Sequence, residues 1–259
     1  MSRIDAEIIR NVEQFVKVKV VTNGVTNSNR PEFTTVSRHY QASKLSVLPV
    51  KANKTPSVKW SAYQNRIMTE SELEQHFTDY TYGIAIVCGE VSGHLLTFDF
   101  DNGDGLATKR FDAWSDAVRE DKPHLYVLLV INTTPNGGYH ARVCCTDPVG
   151  GNEKLAQSKE GLTLIETRGE GGYAVAPPTP GYELIQGSLT NLPTISADER
   201  SYLIATARQF DQSERKKAQP SAKWPKVRQD GEQKAGDLYN QTDEYRELLT
   251  RHKWTLEKA

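Results

Sequence analysis

The chain has 259 residues, of which 37% are hydrophobic and 25% charged, and its formal net charge is −1. That length is enough for one large domain or two small ones, and the near-neutral charge gives no global signature of nucleic-acid binding, although a local basic patch would suffice. No stretch approaches the roughly eighteen apolar residues of a membrane helix, and residues 1–5 show no signal-peptide pattern. We therefore expect a cytosolic protein with no membrane partner. Its three cysteines, none in a CxxC pair, provide neither a disulfide framework nor a zinc site.

The N-terminal third combines predicted helices with one strand. Apolar spacing predicts helices over residues 4–18 and 35–44, and the polar residues 22–31 between them predict a loop. A strand is expected over residues 46–50.

A basic loop over residues 51–60 follows that strand and contains Lys51, Lys54, Lys59 and Trp60. Lysines interleaved with an aromatic residue can grip the phosphates and bases of a nucleic acid. The alternative is a solvated loop anchored by its tryptophan.

Two apolar runs follow, and the second of them ends in acidic residues. Thr69, with Glu72 three positions later, predicts the capping box of a short helix before them. Residues 83–89 predict a strand, and residues 95–101 predict a second strand that ends in acid. Because a short glycine-flanked turn separates the two, we expect them to form a hairpin or a neighbouring pair.

The acidic strand carries two carboxylates on one face. Side chains alternate along a strand, so Thr97, Asp99 and Asp101 share a face, with neighbours roughly 6.6 Å apart. Two carboxylates at this distance repel each other, and a bound Mg²⁺ or Mn²⁺ would relieve the repulsion. The alternative is a strand that ends in a polar turn. A calcium-binding EF-hand loop is excluded because Gly103 and Asp104 stand in the wrong order.

A helix and a hairpin are predicted next. Residues 105–120 have helical periodicity. The residues expected on the inner face of that helix are Leu106, Phe111, Trp114 and Val118. Continuous apolar character over residues 126–132 predicts a buried strand, and a glycine-rich turn leads to a return strand. His140 and Arg142 share a face of the return strand.

A second charged strand end follows a polar loop. We predict the loop over residues 147–161 and a strand over residues 162–168, with Glu166 and Arg168 on one face. Another glycine-rich turn leads into a returning strand at residues 173–176. Short hairpins between helices indicate an α+β fold.

The C-terminal part is predicted to be less compact. A helix is expected over residues 196–213, a basic linker over residues 214–236 and a helical segment over residues 237–259. The linker is interpreted as solvated, with contact to nucleic acid as the alternative.

Polar residues at three strand ends suggest one site for phosphate chemistry. Asp99, Asp101 and Glu166 would hold two divalent ions, typically about 3.5–4 Å apart, for a phosphoryl displacement. His140 and Arg168 would neutralise an anionic substrate.

Three segments of the chain together resemble a known family. They are Leu95-Leu96-Thr97-Phe98-Asp99-Phe100-Asp101, then Thr134-Pro135-Asn136-Gly137-Gly138-Tyr139-His140, then residues 165–178, which begin Ile165-Glu166-Thr167-Arg168. In order and spacing these resemble the motifs of bifunctional primase-polymerases of the archaeo-eukaryotic primase superfamily, of plasmid and phage type. The resemblance extends over roughly residues 47–182.

The resemblance implies a fold and a role for each residue of the motifs. It implies an α/β module packed on an RNA-recognition-motif-like sheet, with the active site in the cleft between them. Asp99, Asp101 and Glu166 become catalytic metal ligands for two Mg²⁺ or Mn²⁺ ions, and no zinc is expected. The implied nucleotide-binding residues are His140, Arg168, Gly137, Gly138 and Lys59.

The implied activity is synthesis and extension of primers on single-stranded DNA from nucleoside triphosphates. The catalytic domain would cover residues 1–195. Residues 237–259 resemble the segment that joins such domains to a replicative helicase, which implies a helicase domain or partner.

Two other functions compete with this prediction. A phosphatase of the haloacid dehalogenase type would use the first Asp of the pair as nucleophile but leave His140 and Arg168 without a role. A non-catalytic replication-initiation module would bind DNA without needing all three acids.

Overall fold

The structure is a computed structural model, and it describes residues 33–78 and 80–213. All of these residues fall within one unit of the chain, bounded by Met1 and Glu214. Several predictions therefore lie outside the described residues, namely those for residues 4–18, 22–31, 214–236 and 237–259.

The described part contains five α-helices and ten strands. In chain order they are α1 (Phe33–Ala42), β1 (Val47–Val50), α2 (Glu70–His76), β2 (Gly83–Val87), β3 (Leu95–Phe100), α3 (Ala107–Asp121), α4 (Pro123–Leu128), β4 (Val130–Thr133), β5 (Tyr139–Cys145), β6 (Glu153–Gln157), β7 (Thr163–Arg168), β8 (Tyr173–Ala176), β9 (Leu184–Gln186), β10 (Thr194–Ile195) and α5 (Ala197–Arg208). Short 3₁₀ turns cover Ser61–Gln64 and Glu90–Ser92. None of the helices in this part of the chain combines the length and apolar character needed to cross a bilayer.

A small antiparallel sheet, in the order β1-β2-β8, forms the first module together with α1 and α2. The strands β1 and β2 are buried throughout, which agrees with their uninterrupted apolar sequences. Thr69 and Glu72 form the predicted capping box at the start of α2: the Glu72 amide donates to the Thr69 hydroxyl, and the Thr69 amide donates to the Glu72 carboxylate.

A larger sheet, in the order β6-β7-β3-β5-β4-β9, forms the second module, and β10 adds to β5 in parallel. Leu96, Phe98 and Phe100 point from β3 into a core that includes Trp114 of α3 and Leu203 of α5. The alternate residues of β3 face the other way, and Leu95 at its start joins the core of the small module. The fold is α+β, as predicted, and one face of the large sheet is left for polar residues.

Helix α5 belongs to the core of the large sheet. Leu203 and Ala207 are fully buried, and the Trp114 indole donates a hydrogen bond to the Leu203 carbonyl at 3.3 Å. Ser196 caps the helix through its contact with Glu199. The packed unit thus continues past residue 195, where the predicted catalytic domain ended.

The predicted pairing of the strands at residues 83–89 and 95–101 is wrong. The strands β2 and β3 lie in different sheets, and a single bridge between Gly89 and Leu95 joins their ends. Gly89 (φ 90°) and Gly93 (φ 75°) redirect the chain between them in a conformation that other residues rarely adopt. The turn after β7 also changes sheets, because β8 pairs with β2.

Three further local predictions are also wrong. Residues 126–128 end a short helix that starts at Pro123, which is favoured at the first helical position, and β4 begins only at Val130. Strand β6 lies within the predicted polar loop, because pairing with β7 stabilises a segment with little apolar signal. Leu106 is 49% exposed, since it precedes the first turn of α3 instead of lying on its inner face.

Candidate active site

Strand pairing aligns the predicted site residues in one row across the large sheet. Asp99 on β3 lies directly opposite His140 on β5 and Glu166 on β7. The row continues to Asn132 on β4 and to Lys154 on β6. Direct neighbours in antiparallel strands have Cβ atoms about 4.5–5.5 Å apart, so these side chains are in reach of one another.

A cavity of about 370 Å³ opens between this row and the strand β8 of the small sheet. Four of the predicted residues line it: Asp99, Asp101, His140 and Arg168. Other lining residues include Lys54, Trp60, Thr134, Asn136, Asn152, Tyr173, Val175 and Tyr182. The predicted location of the site, in a cleft between two modules, agrees with this cavity.

Arg168 forms the main positive contact of the acidic row. Its Nη2 atom donates to a Glu166 carboxylate oxygen and lies 3.7 Å from Oδ2 of Asp99. Asp99 also lies near His140, with 3.5 Å between Oδ1 and Nε2. Burial alone would raise the pKa of Asp99, but the neighbouring His140, Arg168 and Arg142 outweigh it and lower that pKa below its usual range. The carboxylate of Asp99 is therefore held ionised.

The ionised form of Glu166 is less well stabilised than that of Asp99. Burial raises the pKa of Glu166, and the negative charges of Asp99 and Asp101 raise it further, while Arg168 opposes the shift. Such a group gains from an additional cation. The oxygen-only donor set of the three acids is the kind that suits Mg²⁺ or Mn²⁺.

The side chains as they stand do not form a closed metal site. Within residues 33–78 and 80–213, no three His, Cys, Asp or Glu side chains converge closely enough to hold an ion. The guanidinium of Arg168 instead neutralises Glu166 and Asp99. A cation bound by this pair would have to take over that contact from Arg168.

The side chains of the turn that follows Asp101 make their contacts with other groups and leave the Asp101 carboxylate without a partner among the described residues. Arg110 forms an ion pair with Asp104 and donates to the backbone carbonyl of Asp101 at 3.1 Å. Asn102 ties the turn to the β4–β5 hairpin by donating to the Asn136 carbonyl at 2.7 Å. The Asp101 carboxylate is exposed and has no hydrogen bond or ion pair with any other described residue. It remains open to a ligand from solvent.

His140 is buried, and its ring contacts Arg142, which lies two residues further along β5 on the same face. The Nη2 atom of Arg142 lies 2.9 Å from Nδ1 of His140. Burial lowers the pKa of His140, and Arg142 lowers it further against the opposing effect of Asp99. His140 is therefore held neutral.

The two glycines predicted to approach phosphate have a structural role in the hairpin. Gly137 has φ 76° and closes the turn by donating to the Thr134 carbonyl at 3.0 Å. A Cβ on Gly138 would lie 2.4 Å from the Phe100 carbonyl oxygen, so only glycine lets the hairpin pack against β3. Neither glycine lines the cavity.

The basic loop contributes a lysine and a tryptophan to the lining of the cavity. Lys59 is exposed and does not line the cavity, whereas Lys54 does. Trp60 lines the cavity as well and packs edge-on against Tyr173, with 5.2 Å between ring centroids.

Sequence reasoning missed three residues around the row. Tyr182 packs near His140 at 5.8 Å between ring centroids, and Asn132 accepts a hydrogen bond from Arg142. No local pattern marks either of them. For Arg142 the signal was present, because strand alternation put it on the face of His140.

Comparison with known proteins agrees with the resemblance of the motifs. No curated protein matches the chain significantly. The chain does match the family of bifunctional DNA primase/polymerase N-terminal domains over residues 37–195, a range that contains every predicted site residue. Since the match covers more than half of the sequence, the chain belongs to the bifunctional DNA primase/polymerase family, whose members are enzymes of DNA replication.

Proposed function

We propose that this chain is a template-dependent nucleotidyltransferase that makes primers on single-stranded DNA and extends them. We further propose that it serves the replication of a plasmid, phage or other mobile element in a prokaryotic cell. The observation that carries the proposal is the row of His140, Asp99 and Glu166 beside a cavity, within a chain of the primase/polymerase family.

In the proposed reaction, a 3′-hydroxyl oxygen attacks the α-phosphorus of a nucleoside triphosphate. A new P–O bond forms to that oxygen, whose proton passes to solvent, the bond to the bridging oxygen breaks, and pyrophosphate leaves with the electron pair. Two Mg²⁺ or Mn²⁺ ions, when bound, would lower the pKa of the hydroxyl and stabilise charge on the leaving group. Asp99, Asp101 and Glu166 would hold them.

His140 and Arg168 would bind the triphosphate. His140 is buried and neutral, so it would act as a hydrogen-bond donor to a phosphate oxygen without adding a titrating charge. Arg168 now neutralises Asp99 and Glu166. Cations bound by those acids would release its guanidinium to pair with phosphate, for which its planar fork is suited.

Three neighbouring residues of the cavity lining have side chains suited to binding a base and the sugar-phosphate backbone. Lys54 supplies a positive charge there, and Trp60 and Tyr173 supply aromatic surfaces. Stacking on such surfaces is tolerant of sequence and contributes about 1–3 kcal/mol per base. We propose that nucleotide or single-stranded template binds there, and that a replicative helicase is a further partner.

Primer synthesis tests the proposal directly. The protein is incubated with primed and unprimed single-stranded DNA, labelled ribo- or deoxynucleotides, and Mg²⁺ or Mn²⁺. We expect template-dependent products that vanish in Asp99→Ala and Asp101→Ala but persist in Asp112→Ala, an exposed acid on α3. No product with either metal, or equal products from all variants, would reject the polymerase function. DNA binding without any products would favour the non-catalytic alternative.

A second experiment tests the role of His140. His140→Ala should weaken binding of a nucleoside triphosphate more than binding of template DNA, because the side chain faces the acidic row. The exposed His124→Ala serves as the control. Equal losses of both affinities in His140→Ala would contradict the assignment.

A further inference from the structure

Arg142 is a fully buried arginine that contacts His140 of the candidate site. It lies on β5, two residues beyond His140 and on the same face, and none of its surface is exposed. It does not line the cavity, so it cannot contact a substrate there itself. Any effect on the reaction must pass through a neighbour.

The hydrogen bonds of Arg142 join three strands. Its Nη1 atom donates to the side-chain oxygen of Asn132 on β4, and its Nη2 atom donates to the Val175 carbonyl on β8 at 2.8 Å. The same Nη2 atom lies 2.9 Å from Nδ1 of His140. The guanidinium is thus oriented from both sheets.

This contact decides where the proton of the His140 ring resides. A guanidinium has donors only and stays protonated in proteins, so Nδ1 of His140 must be the acceptor. The ring proton of the neutral imidazole is then on Nε2. That atom lies 3.5 Å from Asp99, which is longer than an ordinary hydrogen bond, so its donor is still available to a stronger acceptor in the cavity.

None of the described hydrogen-bond partners of Arg142 carries a negative charge. Among the described residues, no carboxylate forms an ion pair with it, and its Nε atom has no hydrogen-bond partner. A buried cation without a paired anion is costly, and an anion nearby relieves the cost. The carboxylate of Asp99 is such an anion: its charge favours the protonated guanidinium of Arg142 without a direct contact.

We propose that Arg142 is a positioning residue that holds His140 as the Nε2–H tautomer, so that His140 presents a fixed donor to a triphosphate oxygen of the incoming nucleotide. The inference rests on the proposed function for the identity of that ligand. The assignment of the Nε2–H tautomer does not depend on the proposed function.

The tautomer is tested by long-range ¹H–¹⁵N NMR at neutral pH on protein with ¹⁵N-labelled histidine. His140→Gln identifies the signal of His140 among the six histidines. We expect a pure Nε2–H pattern in the wild type and a mixture of tautomers in Arg142→Met. Arg200→Met is the control and should leave the pattern unchanged, because Arg200 donates to the backbone carbonyls of Asp147 and Pro148 and not to His140. An Nδ1–H or protonated ring in the wild type would overturn the proposal, and this result does not depend on the folding of either arginine variant.

A double-mutant cycle on nucleotide affinity separates positioning from a purely structural role. Binding of ATP and dATP is measured with Mg²⁺. We expect Arg142→Met to weaken binding about tenfold, Arg142→Lys to recover part of the loss, and Arg142→Met to add little once His140→Ala is present. Additive losses would overturn the proposal. If the wild type binds neither nucleotide, the proposed function fails, while the NMR result still decides the role of Arg142.

Discussion

Asp99→Asn is the most informative single change, because it keeps the shape of the side chain and removes its charge. In the wild type this carboxylate lies between His140 and Arg168, at 3.5 and 3.7 Å, and opposite Glu166. It is the only acid of the row that contacts both proposed phosphate ligands within the described residues. The substitution therefore separates charge from packing.

The expected effect of Asp99→Asn on folding is small. The side chain of Asp99 is 21% exposed, and an ion pair that keeps contact with solvent, as the one with Arg168 does, contributes about 0–1 kcal/mol. Its loss is offset because the repulsion of Glu166 also disappears. The free energy of unfolding should change by about 1 kcal/mol or less, which corresponds to roughly 2–4 °C in Tm for a domain of this size.

The expected effect on the reaction is large. Metal ions stabilise the charge of a phosphoryl-transfer transition state by several kcal/mol, and an amide is a poor replacement for a carboxylate ligand. A loss of about 4 kcal/mol corresponds to a kcat lower by about 10³, since about 1.4 kcal/mol equals a factor of ten.

The assay is single-nucleotide primer extension with Mg²⁺, alongside thermal unfolding of the same samples. Asp112→Asn on the exposed face of α3 is the matched control and should keep both kcat and Tm. A kcat for Asp99→Asn within tenfold of the wild type would refute the assignment of Asp99 as a metal ligand. A Tm lowered by far more than a few degrees would refute the analysis of its contacts.

Three further predictions concern the charges and the core. Arg168→Gln should tighten Mn²⁺ binding about tenfold in the absence of nucleotide, because Asp99 and Glu166 lose their neutralising partner; weaker binding in calorimetry would contradict this. The pKa of Glu166 is raised in the folded state, so stability should fall as pH rises from the usual glutamate pKa through the raised one, and Glu166→Gln should lack this component in pH-dependent denaturant unfolding without divalent ions. Leu203→Ala should lower the free energy of unfolding by about 3 kcal/mol, whereas Val127→Ala, half-exposed on α4, should change it by less than about 0.5; similar values would show that α5 is not part of the core.

Local patterns were sufficient for the alternation of the acidic strand and for the helix start at Thr69. Period-two spacing put Asp99 and Asp101 on one face and Phe98 and Phe100 on the other. Strand β3 has this alternation up to Phe100, and Asp101, just after its last residue, lines the same cavity as Asp99. The capping box depends on two residues in one turn. Both features need only contacts between near neighbours in the chain, which the sequence contains directly.

Patterns failed where pairing between distant segments decided the outcome. Strand β6 has a polar sequence and exists because β7 lies beside it. The strands β2 and β3 are consecutive and apolar, yet they belong to different sheets. A strand sequence specifies which residues face inward, but it does not name the strand with which it pairs.

By itself, then, the sequence determined which residue types stand at the ends of the strands, and the order of the motifs that mark the primase/polymerase family. Only the tertiary structure decided that Asp99 lies directly between His140 and Glu166, that Lys54 instead of Lys59 lines the cavity, and that Arg142 contacts His140. The physical reason is that composition and periodicity are local properties. Register across a sheet, by contrast, results from the summed packing and hydrogen bonding of segments far apart in the chain.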